Sequence, residues 1–217
     1  HLIMDISGDT LTSAARTSGF LMFAFASMQF IASPVLGNLS DRFGRRPVLL
    51  CSLLAMVCNY LLMGWAPTLF WLFVGRLIGG VSASTYGIAN AYIADVTTPE
   101  ERGKAFGMMG AAFGLGFVVG PALGGILGEF GARVPFYVAA GVSALNLIYG
   151  YLVLPETLPV EKRRRFEILR ANPFGTFKVF QSYKGVLPLS VVMFVFFFAS
   201  AVYPAIWPFW GIAKFGW

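Results

Sequence analysis

Gly37-Asn38-Leu39-Ser40-Asp41-Arg42-Phe43-Gly44-Arg45-Arg46-Pro47 is a short polar stretch between two long apolar ones. Upstream, residues about 18–38 form one apolar run; downstream, residues about 48–66 form another. A helix needs about 20 mostly apolar residues, each rising about 1.5 Å, to cross a hydrocarbon layer about 30 Å thick. Both runs meet that length, so the stretch reads as a tight basic loop, Ser40 to Pro47, joining two membrane spans. Asp41 and Arg45 stand at i and i+4 and can pair locally. Gly44 permits a tight turn, and Arg46, placed before Pro47, ends it.

Four further runs reach span length, at about 69–94, 105–128, 136–154 and 186–210, which makes six. The expected fold is an all-α polytopic membrane bundle. Composition agrees: of 217 residues, 57% are apolar and only 12% charged, with a mean hydropathy of +0.72. Soluble domains are roughly 45–50% apolar and about 25% charged. A disordered chain and a disulfide scaffold are both excluded by these figures and by two cysteines in all. Cys51 and Cys58, on one face of the same predicted helix, read as small packing residues. The single histidine is His1, so Ser-His and HExxH chemistry have no base or ligand, although Gly80-Val81-Ser82 and Gly141-Val142-Ser143 superficially suggest a nucleophile turn. Neither an enzyme, nor a metal site, nor a cofactor is expected.

Charge fixes the orientation. The loops after spans one, three and five hold twelve Lys and Arg: Arg42, Arg45, Arg46, Arg102, Lys104, and Lys162, Arg163, Arg164, Arg165, Arg170, Lys178 and Lys184 of the loop 155–185. The other side holds Arg16, Arg133 and Lys214, and only Arg76 lies within a span. By the positive-inside rule the long loop is cytoplasmic and both ends of the chain are outside. The net charge of +6 is thereby a topological signal, not one of nucleic-acid binding. Trp65, Trp71, Trp207, Trp210 and Trp217 all fall near outer helix ends, as an interfacial belt requires. An outside start without an initiator Met implies a missing first span, hence an internal fragment of a longer chain.

The opening stretch has an echo. Gly37 to Pro47 aligns without gaps on Gly125-Ile126-Leu127-Gly128-Glu129-Phe130-Gly131-Ala132-Arg133-Val134-Pro135, three spans later and therefore on the opposite membrane face. Either short Gly/Pro loops coincide, or the chain contains an inverted repeat of three helices, an architecture common among secondary transporters.

The pattern Gly37-x3-Asp41-Arg42-x-Gly44-Arg45-Arg46 resembles the cytoplasmic loop signature of the major facilitator superfamily. Three more stretches are similar to that family's motifs: Arg76-Leu77-Ile78-Gly79-Gly80-Val81-Ser82-Ala83 on its fourth helix, Gly107-x8-Gly116-x3-Gly120-Pro121-x2-Gly124-Gly125 on its fifth, and Pro155-Glu156-Thr157 after its sixth. The tetracycline/proton and multidrug antiporters are the subgroup most resembled. The resemblance implies helices two to seven of twelve: 1–154 as the N-terminal half lacking its first helix, 155–185 as the central loop, and 186–217 as the first helix of the other half. It implies a bacterial inner-membrane protein, monomeric when full-length, that exchanges protons for a small-molecule drug by alternating access. It further implies that Asp41, Arg45 and Asp95 latch the cytoplasmic side, and that Arg76 tunes the proton affinity of a carboxylate. No acid lies deep in a span here, so that carboxylate is not found in the chain.

The residues also speak for themselves. An arginine about seven residues into a span is a functional hypothesis by default, with snorkelling to the surface as the alternative. Arg76, Gly80, Ala83, Gly87 and Asn90 would form one small polar face suited to a cavity or a tight helix contact. Gly116, Gly120, Gly124 and Gly128 form a bare stripe that allows backbones to approach, and Pro121 bends that helix. Gln29, Asn59, Asn90 and Asn146 are expected to be buried, either lining a cavity or bonding between helices. Tyr86, Tyr92 and the Phe194–Phe198 run can stack on an aromatic drug, although lipid-facing packing suits the phenylalanines. Pro188, Pro204 and Pro208 are expected to break up the last span. Two competing readings remain: an importer or uniporter of sugars, organic acids or other metabolites on the same fold, and a transport-inactive membrane protein.

Overall fold

The computed structural model describes residues 2–8, 10–167, 171–175 and 185–215, without the side chains of residues 174, 203–205 and 208. His1, Arg170, Lys178, Lys184 and Trp217, and the side chains of Pro204 and Pro208, therefore lie outside the described residues. Among those described, the elements are all helical: α1 (Leu2–Ser7), α2 (Leu11–Phe43), α3 (Arg45–Trp65), α4 (Leu69–Ala83), α5 (Tyr86–Val96), α6 (Arg102–Glu129), α7 (Val134–Val153) and α8 (Val186–Phe215), with 3-10 turns at Val160–Lys162 and Pro173–Gly175. Five stretches are long and apolar enough to span a bilayer, α4 and α5 counting as one, and α8 adds a further apolar stretch, Val186–Val202.

Several boundaries differ from expectation. The first span begins at Leu11, so Arg16 sits inside α2. The expected loop from Ser40 to Pro47 shrinks to one residue: α2 ends at Phe43 and α3 starts at Arg45. Gly44 alone makes the reversal, with φ 106° and ψ 157°. Pro47 does not follow a loop; it occupies the first turn of α3, where its missing N–H leaves no bond unmade. Pro188 is likewise in the first turn of α8, and the helix runs on from there without interruption.

The span at 69–94 is broken in two. Ser84 and Thr85 form a turn between α4 and α5, and the cause is hydroxyl competition for backbone carbonyls. Ser82 donates to Ile78 O (3.0 Å), Thr85 to Ser82 O (2.7 Å), and Ser84 lies within reach of both Gly80 O (2.9 Å) and Gln29 O (3.1 Å). The face expected to run from Arg76 to Asn90 is thereby split, with Gly87 exposed on the far side of the turn.

In a bilayer, apolar surface gains little by leaving lipid, so helices associate where small residues allow close packing. Helix α4 shows this. Gly75 and Gly79 face Met63 and Asn59 of α3, and Gly80 lies against the backbone of α2 at Phe25 and Gln29. A methyl group at Gly80 would collide with the Phe25 carbonyl oxygen and come within 2.8 Å of Met28 Cβ. Gly80→Ala is therefore expected to destabilise the protein by about 1–3 kcal/mol, the usual cost of overpacking, read as a lower midpoint of thermal unfolding in detergent.

Helices α3 and α7 run antiparallel and make the most extensive helix contact of the fold. A small core of Leu21, Met63, Ala66 and Leu72, flanked by Leu2, Ile3, Ile6, Leu69 and Phe136, closes the end of the bundle remote from Gly44. Many large apolar side chains elsewhere, Phe23, Phe113, Phe117 and Phe194 among them, are exposed, as a lipid-facing surface requires.

Helix α6 departs most from expectation. None of its residues is buried, and nothing lies within 4 Å of a Cβ built on Gly107, Gly116, Gly120, Gly124, Gly125 or Gly128. The stripe is an open surface here, because α6 makes only sparse contacts, with α5 and α7. Helical hydrogen bonding continues past Pro121. Cys51 and Cys58 are free and exposed, not packed as expected.

Candidate functional site

At the α2–α3 junction, Arg45 gathers three groups. Its Nη1 lies 2.6 Å from Asp41 Oδ1 and donates to Ser40 Oγ at 2.7 Å; its Nε lies 3.4 Å from Asp95 Oδ2. Asp41 comes from the last turns of α2 and Asp95 from the end of α5, so one guanidinium joins three helices. The fork of a guanidinium suits this, since its donors point in fixed, divergent directions. Only 13% of the Arg45 side chain is exposed, so water competes weakly for it.

The segment after α7 folds onto the same junction. Glu156 Oε1 accepts the Arg45 backbone N–H at 2.9 Å and the N–H groups of Thr157 and Leu158 at 3.0 Å each. Helix α3 has no side-chain cap of its own. The Glu156 carboxylate takes that place at the positive end of the helix dipole. Thr157 donates to Asp95 Oδ2 (3.3 Å), Tyr92 donates to Pro155 O (3.1 Å), and Arg163 Nη2 stands 4.0 Å from Glu156 Oε2. Farther along, the Arg164 N–H reaches Asp41 O at 3.0 Å, and Asn38 Nδ2 donates to Glu167 O at 2.6 Å. Arg42 stacks on Phe43 at 4.9 Å, and Gly37 O accepts from Ser40 Oγ at 2.8 Å. Arg46 turns away, donating to Tyr151 O at 2.7 Å.

The structure thus brings Asp41, Arg45 and Asp95 together, as their places in the sequence suggest. It adds Ser40, Glu156 and Thr157, to which the sequence reading assigns no contact. Their signal is topological: Pro155-Glu156-Thr157 follows the fifth span and so returns to the side of Gly44.

Arg76 lines a cavity of about 190 Å³ with Leu21, Met63, Leu72 and Phe136, and no acid is among its lining residues. Its Nε is buried and has no hydrogen-bond partner among the described residues. The five residues expected around a substrate cavity are not assembled. Gln29 lines an open groove beside Pro34 and Pro173, whereas Tyr86 and Asn146 line another with Tyr92. Asn59 is buried beside Gly75 and Gly79, its Oδ1 unpaired among the described residues; Asn90 is half-buried and Asn146 exposed. Of the four amides expected to be buried, only Asn59 is; Gln29, like Asn90, is half-buried.

Comparison with known proteins accords with this architecture. The Major Facilitator Superfamily profile matches residues 3–217. The chain is 41% identical over 205 residues to the class C tetracycline resistance protein of Escherichia coli, covering 94% of this chain and 52% of that protein. It is 32% identical over 216 residues to multidrug resistance protein 2 of Bacillus subtilis (strain 168), covering 99% of this chain and 52% of the relative. Among solved structures, that of the human organic anion transporter MFSD10 (TETRAN) superposes with a TM-score of 0.63 at 34% identity, over 71% of this chain and 36% of that one. The chain spans about half the length of the curated relatives it matches. With its spans, its Arg45-centred junction and these matches, the chain belongs to the Major Facilitator Superfamily.

Proposed function

We propose that this chain forms helices two to seven of a twelve-helix transporter of the bacterial inner membrane that exports tetracycline-like or other amphipathic drugs in exchange for protons. Residues 1–154 then belong to the first half, 155–185 to the central loop and 186–217 to the second half, with the two halves rocking about a midplane site. The observation that carries the reading is the junction itself: Arg45 holds Asp41 and Asp95 within one cluster that Glu156 and Thr157 connect to the central loop. Such a cluster stabilises the closed cytoplasmic end and releases it when its charges are rearranged. The tetracycline and multidrug resistance proteins among the relatives support the choice of cargo.

Arg76 is the second element. A buried cation with a free Nε beside an apolar cavity lowers the proton affinity of any carboxylate that approaches it. In this reading the proton-carrying acid is presented to it by another part of the transporter.

The test uses the full-length protein in a drug-sensitive bacterial host. Tetracycline and fluorescent dye accumulation should fall on expression and recover with a protonophore. Asp41→Asn should restore accumulation in part. Arg76→Ala should lower the export rate at least about tenfold, an effect of roughly 1.4 kcal/mol on the barrier, at unchanged membrane levels. Accumulation equal to the empty vector despite good expression would overturn export and favour an importer or an inactive relative.

A further inference from the structure

The two ends of the α3–α7 pair are built alike. At one end, Arg133, just before α7, donates to the last carbonyls of α3: Nη1 to Gly64 O (3.0 Å) and Trp65 O (2.9 Å), Nη2 to Ala66 O (3.0 Å). At the other, Arg46, in the first turn of α3, donates to Tyr151 O in the last turn of α7 (2.7 Å) and stacks on the Tyr151 ring at 5.5 Å. A glycine seats the partner helix at each end. Gly64 lies against Tyr137, and Gly150 against Leu50 and Leu53.

This symmetry corrects the register of the internal repeat. The gapless alignment pairs Gly44 with Ala132 and Arg45 with Arg133. Of the four described glycines with positive φ, the two in the aligned segments are instead Gly44 (106°) and Gly131 (141°). With those matched, Phe43 pairs with Phe130, Arg46 with Arg133, and Asn59 with Asn146, all at one spacing. The equivalent of Arg133 is thus Arg46, and the two act alike, each capping the carbonyl end of the other triplet's helix.

Those carbonyls have no donors within their own helix, and lipid offers none. A guanidinium satisfies them and complements the negative end of the helix dipole. We propose that Arg133 is a positioning residue for transport, forming with Arg46 a reciprocal clamp that makes α3 and α7 one rigid body joining the two triplets. The link to transport rests on the function proposed above; the clamp itself does not.

The experiment uses the full-length transporter in proteoliposomes, with rates expressed per folded molecule. Arg133→Gln should lower the maximal rate of proton-driven tetracycline transport about tenfold while leaving KM within about twofold, the signature of a step other than binding. Arg133→Lys should recover part of the rate, since an ammonium reaches fewer of the three carbonyls. Arg46→Gln should resemble Arg133→Gln, and the double variant should be no slower than the slower single, because either loss opens the same unit. Amide hydrogen exchange should rise in the last turn of α3 for Arg133→Gln and in the last turn of α7 for Arg46→Gln. Unchanged exchange at both turns, a wild-type rate for Arg133→Gln, or effects that multiply in the double variant would each overturn the clamp. If the wild type carries no tetracycline, the transport reading fails, and the exchange data still decide whether the clamp exists.

Discussion

Arg45→Ala is expected to abolish drug efflux by the full-length transporter, returning accumulation in the host to the empty-vector level. Asp41 and Asp95 come from different helices and meet only through this side chain. Without it, two carboxylates share a junction in which no other described cation pairs with either of them, and like charges repel. Ser40 Oγ loses its donor as well. A barrier higher by only ~1.4 kcal/mol slows transport tenfold, and the loss of a two-carboxylate bridge is expected to exceed that. Arg45→Lys should recover little, since an ammonium is a single point of charge and cannot span both acids as the fork does. Asp41→Asn should be milder, because it removes charge but keeps an oxygen facing Nη1. The ordering Ala, then Lys, then Asn, from most to least damaging, is read from dye accumulation at matched membrane levels. A wild-type rate for Arg45→Ala would remove the cluster from the transport cycle.

Gly44→Ala is expected to be the most destabilising single methyl in the chain. At φ 106° and ψ 157° the residue occupies backbone space that is essentially reserved for glycine, at a cost of about 1–3 kcal/mol for any other residue. The added Cβ would also run into the Glu156 carboxylate and approach Arg163 Nη2 at 3.1 Å. Strain and collision are separable. Glu156→Ala removes the collision along with its own cap on α3 and leaves the strain, so Gly44→Ala should lower the thermal midpoint less in the Glu156→Ala background than in the wild type, but still lower it. No loss in that background would mean that the dihedral angle costs nothing.

Much of this architecture is legible in the sequence, and the rest is not, for physical reasons. The spans follow from length and hydropathy, and the Asp41–Arg45 pair follows from helical spacing. Asp95 joins them because alternate loops return to one side. Helix ends are harder to read, because hydropathy reports where lipid ends, whereas backbone hydrogen bonding continues through Ser40, Asp41 and Arg42 into the polar layer. The break at Ser84–Thr85 carries no proline or glycine to mark it; it arises from three hydroxyls bonding to backbone carbonyls, contacts that are visible only once the helix is built. Glu156 is 111 residues from Arg45, and no local pattern announces that contact. The stripe on α6 shows the converse. Small residues permit close approach without specifying a partner, and among the described residues none takes it. The repeat is visible in the letters but shifted by one residue, since a matching proline weighs as much as a turn glycine until the backbone angles distinguish them.

The break between α4 and α5 has a mechanical consequence. The outer segment, with Arg76, is wedged against α2 through Gly80, whereas the inner segment ends on Asp95 and leans on Pro155 and Thr157. Ser84 and Thr85 form a fulcrum between them, already bent and with its hydroxyls satisfied. In the transport cycle proposed above, release of the cytoplasmic charges would let α5 swing as a short lever while α4 stays seated, opening the inner mouth without dragging the arginine from its cavity.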